Sequence, residues 1–473
     1  MKHIYSKLLL ALAFMAAFAP ADASLLYDFS VDDVYYNVND DNTTTVNVVS
    51  GSLIGGKYSG DITIPSTVTY ESVTYTVTGI GSSAFFNCTS LTSVSLPGTV
   101  TSIGLMAFLR CTALTSLSIP DSVTSLGGYA FWLCTSLESV TLPSELTKIT
   151  YGTFSGCTAL TSVSIPQKVD SIGTSAFSGC TALTSVTLPD ATKRIGDGAF
   201  SGCEGLKSFS FGSSVETVGV SAFSGCTSLT SIELPSTVTS IGELAFYGCT
   251  GVKSANIPQD VTTVGLSAFS GCTSLESLSF PDGVATVSSY VCSGCISLTS
   301  VTLPANATAI NLGAFYGCIS LASVTVPSDV ATIGNYAFGG CTALAEVIVE
   351  CTTPPAVSDT AAFDNETYTN ASLCVPQGTL SDYQADAIWS NFTNIYESGS
   401  DGVACTLAGE TVPYKVAGGA ITLGLDGLQV AIYSTSGALI YSGTSQAGAS
   451  IDLPAGGVYI VRAGGAATKV AIR

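Results

Sequence analysis

Cysteine is the residue type of this chain whose spacing could carry chemistry. Twelve cysteines follow one another at intervals of 23 residues. They are Cys88, Cys111, Cys134, Cys157, Cys180, Cys203, Cys226, Cys249, Cys272, Cys295, Cys318 and Cys341. A row of thiols could form disulfides, hold metal ions or carry redox chemistry. Which of these is possible depends on how the rest of each 23-residue interval places the sulfur atoms.

A short fixed period is typical of a solenoid, in which each repeat stacks on the next. With the cysteine as position 1, one repeat runs from Cys157 to Gly179, and apolar residues recur at positions 4, 7, 9, 13, 16 and 21. This pattern predicts a short strand around position 7 and a second extended piece around position 16, both with apolar side chains turned inward. Glycine at positions 17 and 23 is expected to provide turns. A lone repeat buries too little apolar surface to fold, so the repeats must stack.

Stacking in register places each ladder cysteine about 4.8 Å from its equivalents in the neighbouring repeats. That distance permits a disulfide, but parallel Cα–Cβ vectors are poorly oriented for one. A straight row also cannot surround a metal ion tetrahedrally. The sequence therefore favours buried thiols that pack as small apolar groups, with neither a metal nor a cofactor.

The remaining candidates for chemistry are few. Cys292 and Cys295 form a CxxC motif by spacing, but Cys292 stands where the repeat usually has Phe, so a core substitution beside a ladder cysteine accounts for the motif better than redox chemistry. Cys351 and Cys374 lie off the ladder in a degenerate last repeat and could bridge its coils. His3 is the only histidine and lies in the predicted signal peptide, so the mature chain would lack the imidazole of the common hydrolase sites. Because the carboxylates are scattered, we predict no catalytic residues and a protein that is not an enzyme.

The pattern L-x-x-V-x-I-P-x-x-V-T-S-I-G-x-x-A-F-x-G-C resembles the BspA-like leucine-rich repeat family of bacterial surface proteins over residues 61–396. This resemblance implies a right-handed leucine-rich-repeat solenoid. Together with strand patterns at both ends of the chain, it predicts a β-rich fold that adds an N-terminal β cap and a C-terminal β-sandwich domain. It also implies adhesion or protein–protein interaction with host matrix or other cells, and no catalytic residues.

Composition divides the chain into six segments. We expect a signal peptide, an N-terminal β-rich cap, the solenoid, a degenerate terminal repeat with a C-terminal cap, a linker, and a β-sandwich; these are residues 1–23, 24–87, 88–350, 351–396, 397–404 and 405–473. The first segment has the basic, apolar and small-residue parts of a secretory signal and is too short to span a bilayer. Between Pro65 and Ile80, nine residues beyond the usual spacing predict a hairpin. The last segment resembles the sorting domain of type IX secretion cargo, with a plain immunoglobulin-like module as the alternative.

The net charge of the chain is −20, which repels phosphate backbones and argues against nucleic acid as a partner. We expect a protein at the bacterial cell surface or in the medium, with protein or glycan partners on host or bacterial surfaces and no transmembrane segment. The sequence leaves the oligomeric state open.

A serine surface is the first candidate binding site. Position 6 is Ser in eleven of the twelve repeats and should project from the strand around position 7 as a flat row of hydroxyls. Such a row suits a glycan or another repetitive polymer, or it provides only solubility and strand propensity. Its first members are Ser93, Ser116, Ser139, Ser162, Ser185 and Ser208.

An apolar patch in the early repeats is the second candidate. Large apolar residues occupy positions there that are small or polar in most other repeats, which predicts either a contact site for a partner or a surface covered by the N-terminal cap. The patch comprises Leu105, Met106, Leu109, Tyr129, Trp132, Leu133 and Tyr151. Tyr383 and Trp389, by contrast, are expected to pack inside the C-terminal cap.

Overall fold

The computed structural model describes residues 27–39, 42–357 and 362–398, together with seven strands between 414 and 471 and Leu453. The predicted signal peptide and most of the predicted linker lie outside these residues. The chain divides into two compact units, Met1–Leu275 and Glu276–Arg473.

Each unit contains coils of 23 residues that form a leucine-rich-repeat β-solenoid, so the fold class predicted from the period is confirmed. A coil has three faces, as Cys180–Gly202 illustrates. The first face is a strand at positions 6 to 8, here Ser185–Thr187, and the second is a strand at positions 15 and 16, here Arg194–Ile195. The third face consists of turns at positions 18 to 23, which continue through positions 2 and 3 of the next coil.

In the first unit, the strands of the first face are parallel and in register. Ser139 pairs with Ser116 and Val140 with Leu117, so serine lies beside serine and the buried residues stack. The strands of this face are Gly60–Thr63, Leu91–Ser95, Ser116–Ser118, Ser139–Thr141, Ser185–Thr187, Ser208–Ser210, Ser231–Glu233 and Ser254–Asn256.

The second face of this unit follows the same rule with shorter strands. Ile172 pairs with Ile149 on one side and Ile195 on the other, and all three are buried. The strands are Ser102–Ile103, Ser125–Leu126, Lys148–Ile149, Ser171–Ile172, Arg194–Ile195, Thr217–Val218, Ser240–Ile241 and Thr263–Val264.

The third face is held together by hydrogen bonds between coils, although it has no regular strand. The Ser175 N–H donates to the Asp197 carbonyl at 2.8 Å, and the Phe177 N–H to the Ala199 carbonyl at 2.7 Å. Position 23 follows the same pattern, since the Gly179 N–H donates to the Ser201 carbonyl of the next coil at 2.7 Å. These bonds satisfy backbone groups that a turn would otherwise leave to solvent.

Phenylalanine at position 21 fills the core. In the first unit its rings stack from Phe85 to Phe269 with centroids 4.8 to 5.4 Å apart. Glycine at position 17 has a different role from the turn we expected, since a Cβ on Gly196 would lie 2.7 Å from the Thr174 nitrogen of the preceding coil. Glycine at position 23 does meet the expectation, as Gly202 has φ +72°.

The N-terminal region is rich in strands, which are Phe29–Val31, Val34–Asn39, Asn42–Val49, Thr67–Tyr70 and Val73–Ile80. The last two form the predicted antiparallel hairpin. Parallel pairing of Ile62 with Val94, and of Ile80 with Ile103, makes residues 60–87 a first coil that lies within the segment predicted as a cap.

In the second unit, the solenoid strands pair in the same way, with Leu278 beside Val301 and Ile310 beside Ile333. The first-face strands are Ser277–Ser279, Ser300–Thr302, Ser323–Val326, Glu346–Val349, Ser372–Val375 and Asn394–Glu397, and the second-face strands are Thr286–Val287, Ala309–Ile310, Thr332–Ile333 and Ala356–Val357.

Two short helices, Asn365–Asn370 and Leu380–Ala385, and a 3₁₀ turn, Trp389–Asn391, lie among the last solenoid strands. Tyr383 and Trp389 are buried here, as predicted. The Tyr383 hydroxyl donates to the Cys351 carbonyl at 2.7 Å, and Trp389 Nε1 to the Pro355 carbonyl at 2.9 Å.

Antiparallel strands make up the described part of the last segment. They are Tyr414–Ala417, Ala420–Leu423, Gln429–Ser434, Leu439–Thr444, Ser450–Asp452, Val458–Ala463 and Ala466–Ala471. Gln429–Ser434 pairs with Leu439–Thr444 in the hairpin read from the sequence and also with Val458–Ala463.

Candidate interaction surfaces

The ladder cysteines are buried, as predicted, but they are more than apolar fillers. Cys157 Sγ donates to the Phe131 carbonyl oxygen, 26 residues earlier, at 3.1 Å. Phe131 lies three residues before Cys134, and the Cys134 N–H donates to the same carbonyl oxygen. The same Sγ–H···O bond, at 3.1 to 3.3 Å, recurs along the ladder at Cys111, Cys134, Cys157, Cys180, Cys203, Cys226, Cys249, Cys272, Cys318 and Cys341.

Burial also suppresses the acidity of these thiols. It raises the pKa of Cys203 to about 12 and that of Cys341 to about 12. The pKa of Cys157 lies well above the ordinary value for the same reason. Since the thiolate is the reactive form, the ladder has the properties of a structural element rather than a reactive one.

The other cysteines of the described ranges are also in the core. Cys292 and Cys295 of the CxxC motif are buried, and the Cys292 carbonyl accepts the Cys318 thiol at 3.2 Å, as a Phe carbonyl does elsewhere. The Cys351 thiol donates to the Pro327 carbonyl at 3.1 Å in place of a bridge to Cys374. The CxxC pair and the pair Cys351 and Cys374 are therefore buried, where a disulfide of another protein does not reach them.

Within the described ranges, no group of three or more His, Cys, Asp or Glu side chains is arranged to hold a metal ion. Among the same residues, no helix has the length and apolar character required to cross a membrane.

Part of the predicted apolar patch is buried, and several of its members pack against one another. Leu109 is fully buried, and the adjacent coils carry Phe86 and Trp132 at the same position 22. The Tyr129 ring lies 5.3 Å from Trp132 and 5.2 Å from Tyr151.

Two members of the patch are left well exposed, Leu105 at 39% and Tyr151 at 48%, while Met106, Tyr129 and Leu133 are half-buried. The N-terminal region reaches one edge of this cluster, where the Gly56 N–H donates to the Phe86 carbonyl at 2.9 Å.

The serine surface projects outward, in the arrangement expected of position 6. Ser116, Ser139, Ser162, Ser185 and Ser208 are exposed, and their hydroxyls make no hydrogen bond within the described chain. Ser93 differs, because its hydroxyl donates to Asp61 Oδ1 at 2.6 Å.

The threonines of the neighbouring position 5 have a structural role instead. The Thr184 hydroxyl donates to the Thr161 carbonyl of the preceding coil at 3.3 Å. Position 6 is therefore one column of the first face whose hydroxyls remain available to a ligand, and position 8, with the exposed Ser118 and Thr187, is another.

Sequence reasoning missed a third surface, on the third face of the second unit. Six large side chains on three consecutive coils are each 36% to 50% exposed. We call this set the tyrosine surface; it comprises Tyr290, Ile296, Leu312, Tyr316, Ile319 and Tyr336. The signal was present in the sequence as Tyr at positions 19 and 22 and Ile at position 2, where most coils have small or polar residues.

Glycines support two of these tyrosines. The Tyr290 ring lies over Gly313 of the next coil, where a Cβ would be 2.4 Å from Tyr290 Cε1. Tyr316 likewise lies against Gly339, with 3.3 Å between its Cδ2 and the position of a Cβ. The Tyr316 and Tyr336 rings are 6.3 Å apart and nearly perpendicular, at 87°. The first unit contains the same device, with Tyr129 over Gly152.

Exposed surfaces on stacked β coils, with the described thiols buried in the core, define a leucine-rich-repeat scaffold. Solenoids of this class typically present surfaces rather than catalytic groups. The family model described as "BspA type Leucine rich repeat region" matches in six copies over residues 61–183, 148–276 and 262–375, and the chain belongs to this family. Proteins of the family are typically secreted or located at the cell surface and act in adhesion or protein–protein interaction in general.

Solved structures of bacterial leucine-rich repeat proteins resemble the chain. A leucine-rich repeat protein from Bacteroides ovatus is 27% identical, with 79% of this chain and 100% of that one covered and a TM-score of 0.50. A leucine rich cell surface protein from Faecalibacterium prausnitzii is 25% identical over 79% of this chain and 95% of its own, with a TM-score of 0.48. The Treponema pallidum leucine-rich repeat protein is 33% identical over 42% and 90%, with a TM-score of 0.37. No curated protein matches the chain.

Proposed function

We propose that this chain is a secreted or cell-surface adhesion protein that binds a protein of the host matrix or of another cell through the tyrosine surface. The observation that carries the proposal is the exposure of Tyr316 and Tyr336, at 48% and 50%, beside exposed isoleucines. Contiguous exposed apolar side chains are typical of interaction sites, and tyrosine is among the residues that contribute most to binding energy.

Export is part of the same proposal. The segment from Lys2 to Ala23 has the composition of a secretory signal. The antiparallel strands between 414 and 471 are compatible with the sorting domain that the last segment resembles. Detection of the chain in the medium or on intact cells, and its loss when residues 1–23 are deleted, would test this part.

Binding is best tested with a matched pair of variants. Purified full-length chain is titrated against immobilised matrix proteins, mucins and partner cells, and Tyr316→Ser with Tyr336→Ser is expected to weaken binding at least tenfold. Tyr247→Ser is the control, because Tyr247 has the same coil position as Tyr316 and similar exposure, 47%, but lies outside the tyrosine surface. Equal binding by the double variant and the wild type would refute the proposed site.

Glycan binding on the serine surface is a second candidate function, favoured by the exposed and unengaged hydroxyls of Ser139 and Ser162. Ser139→Lys with Ser162→Lys should abolish retention on a polysaccharide column. Ser125→Lys with Ser171→Lys is the control, since position 15 already accommodates Lys148. Unchanged retention of the first double variant would remove this candidate.

A further inference from the structure

We infer that the partner bound by the tyrosine surface is a protein that presents an uncharged, apolar contact area. This inference rests on the proposed function and concerns the same six side chains. It names the chemistry of the partner, which neither the repeat pattern nor the family specifies.

The first argument is charge. The third-face residues of the three coils, 288–297, 311–320 and 334–343, contain no Asp, Glu, Lys or Arg, although the chain as a whole carries −20. The Asp364 carboxylate reaches one edge of these residues, where its Oδ2 accepts from the Gly340 N–H at 2.6 Å. Elsewhere on this surface a charged group of a partner would lose its hydration and find no counter-charge, which is unfavourable. An acidic or basic ligand is therefore poorly matched to the tyrosine surface.

The second argument is the aliphatic content. Ile296, Leu312 and Ile319 are 44%, 39% and 47% exposed. These side chains gain free energy only by removing apolar area from water. Against a glycan they would desolvate sugar hydroxyls without replacing their hydrogen bonds, which is costly. The same side chains therefore favour an apolar protein over a polysaccharide.

The third argument is composition and rigidity. Tyr, Ser, Gly and Asn surround the aliphatic side chains, and this mixture is typical of antibody paratopes. The backbone beneath is fixed between coils, since the Tyr290 N–H donates to Leu312 and the Gly313 N–H to Asn335, both at 2.9 Å. A surface fixed before binding loses little conformational entropy when the complex forms.

An elastin-like polypeptide of Val-Pro-Gly-Val-Gly repeats is a suitable probe, because it is a protein chain that is both apolar and uncharged. Full-length chain is immobilised and the binding constant for this probe is measured by surface plasmon resonance. We expect saturable binding that changes less than twofold between about 0.05 and about 0.5 M NaCl, since no ion pair contributes. Tyr316→Ser with Tyr336→Ser should weaken it at least tenfold, and Tyr247→Ser should leave it unchanged.

Several outcomes would overturn the inference. One is absence of saturable binding by the wild type, and another is a steep fall of binding with salt. Tyrosine-dependent retention of dextran, of heparin or of phosphatidylcholine vesicles in place of the polypeptide would assign the surface to another ligand class. Self-association in sedimentation that the double variant abolishes would assign it to a second copy. None of these outcomes refutes the proposed function itself. The proposed function is refuted by a different result, namely that the double variant still binds matrix proteins and cells as the wild type does.

Discussion

Cys157 Sγ lies 3.1 Å from the carbonyl oxygen of Phe131 and donates a hydrogen bond to it. The two residues are 26 positions apart in sequence, which is one turn of the solenoid plus three residues. The bond explains a cysteine at position 1 better than size alone, since alanine or valine would leave the carbonyl without its second donor.

Replacing this thiol should destabilise the first unit. Cys157→Ala removes the Sγ–H···O bond and leaves a small cavity, so we expect a loss of about 1–3 kcal/mol in the free energy of unfolding. Urea denaturation monitored by circular dichroism measures it. Ser162→Ala, on the exposed first face of the same coil, should change stability by less than about 0.5 kcal/mol. Equal stability of the two variants would mean that the thiol hydrogen bond is not stabilising.

The buried thiols should make the protein sensitive to alkali. Burial raises the pKa of Cys203 to about 12 from an ordinary value near 9. The protonated thiol is therefore favoured in the folded state, and this contribution is present below pH 9 and lost as the pH rises toward 12. The urea midpoint should fall between about pH 8 and about pH 10.5, and it should fall less in Cys203→Ala. The idea fails if wild type and variant show the same pH dependence.

Two glycine positions should differ in their tolerance of alanine. Gly196→Ala places a Cβ 2.7 Å from the Thr174 backbone nitrogen, which forces adjacent coils apart and should destabilise by about 2–3 kcal/mol. Gly202→Ala meets nothing closer than 3.8 Å, and only its φ of +72° is unfavourable, so about 1–2 kcal/mol is expected. Thermal unfolding of both variants checks the order, and the reverse order would contradict the close-approach role of position 17.

Binding by the tyrosine surface should depend on Gly313, which leaves room for the Tyr290 ring. Gly313→Ala would place a Cβ 2.4 Å from Tyr290 Cε1 and displace that ring. We expect binding of the proposed partner to weaken about three- to tenfold, as for a misplaced interface aromatic. Because φ at Gly313 is +59°, Gly152→Ala, at φ +61° in the first unit, controls for backbone strain. A loss of binding in the control as large as in Gly313→Ala would attribute the effect to strain rather than to Tyr290.

The segment predicted as the C-terminal cap offers a direct test of one buried hydrogen bond. Tyr383→Phe leaves the Cys351 carbonyl without its donor at 2.7 Å, and we expect a loss of about 1–2 kcal/mol. The exposed Tyr247→Phe should be neutral. Equal unfolding midpoints for these two variants would indicate that the cap bond contributes nothing.

The 23-residue period by itself determined the architecture, the buried positions and the outward serine column. It did so because in-register stacking gives every coil the same neighbours, so the pairing of Ser139 with Ser116 follows from the spacing. The hairpin before Ile80 was also predictable, since residues inserted into a coil of fixed length must project from that coil.

The tertiary structure decided how residues at the same coil position differ in exposure and hydrogen bonding. Leu109 and Tyr316 occupy the same coil position, yet Leu109 is fully buried and Tyr316 is 48% exposed. The adjacent coils differ at this position, since they carry Phe86 and Trp132 on either side of Leu109, whereas Gly339 lies beside Tyr316. The direction of each thiol hydrogen likewise depends on where a carbonyl of another coil lies. Exposure and hydrogen bonding are properties of neighbours in space, and a repeat pattern specifies which positions meet without specifying how each pair of side chains fills the space between them.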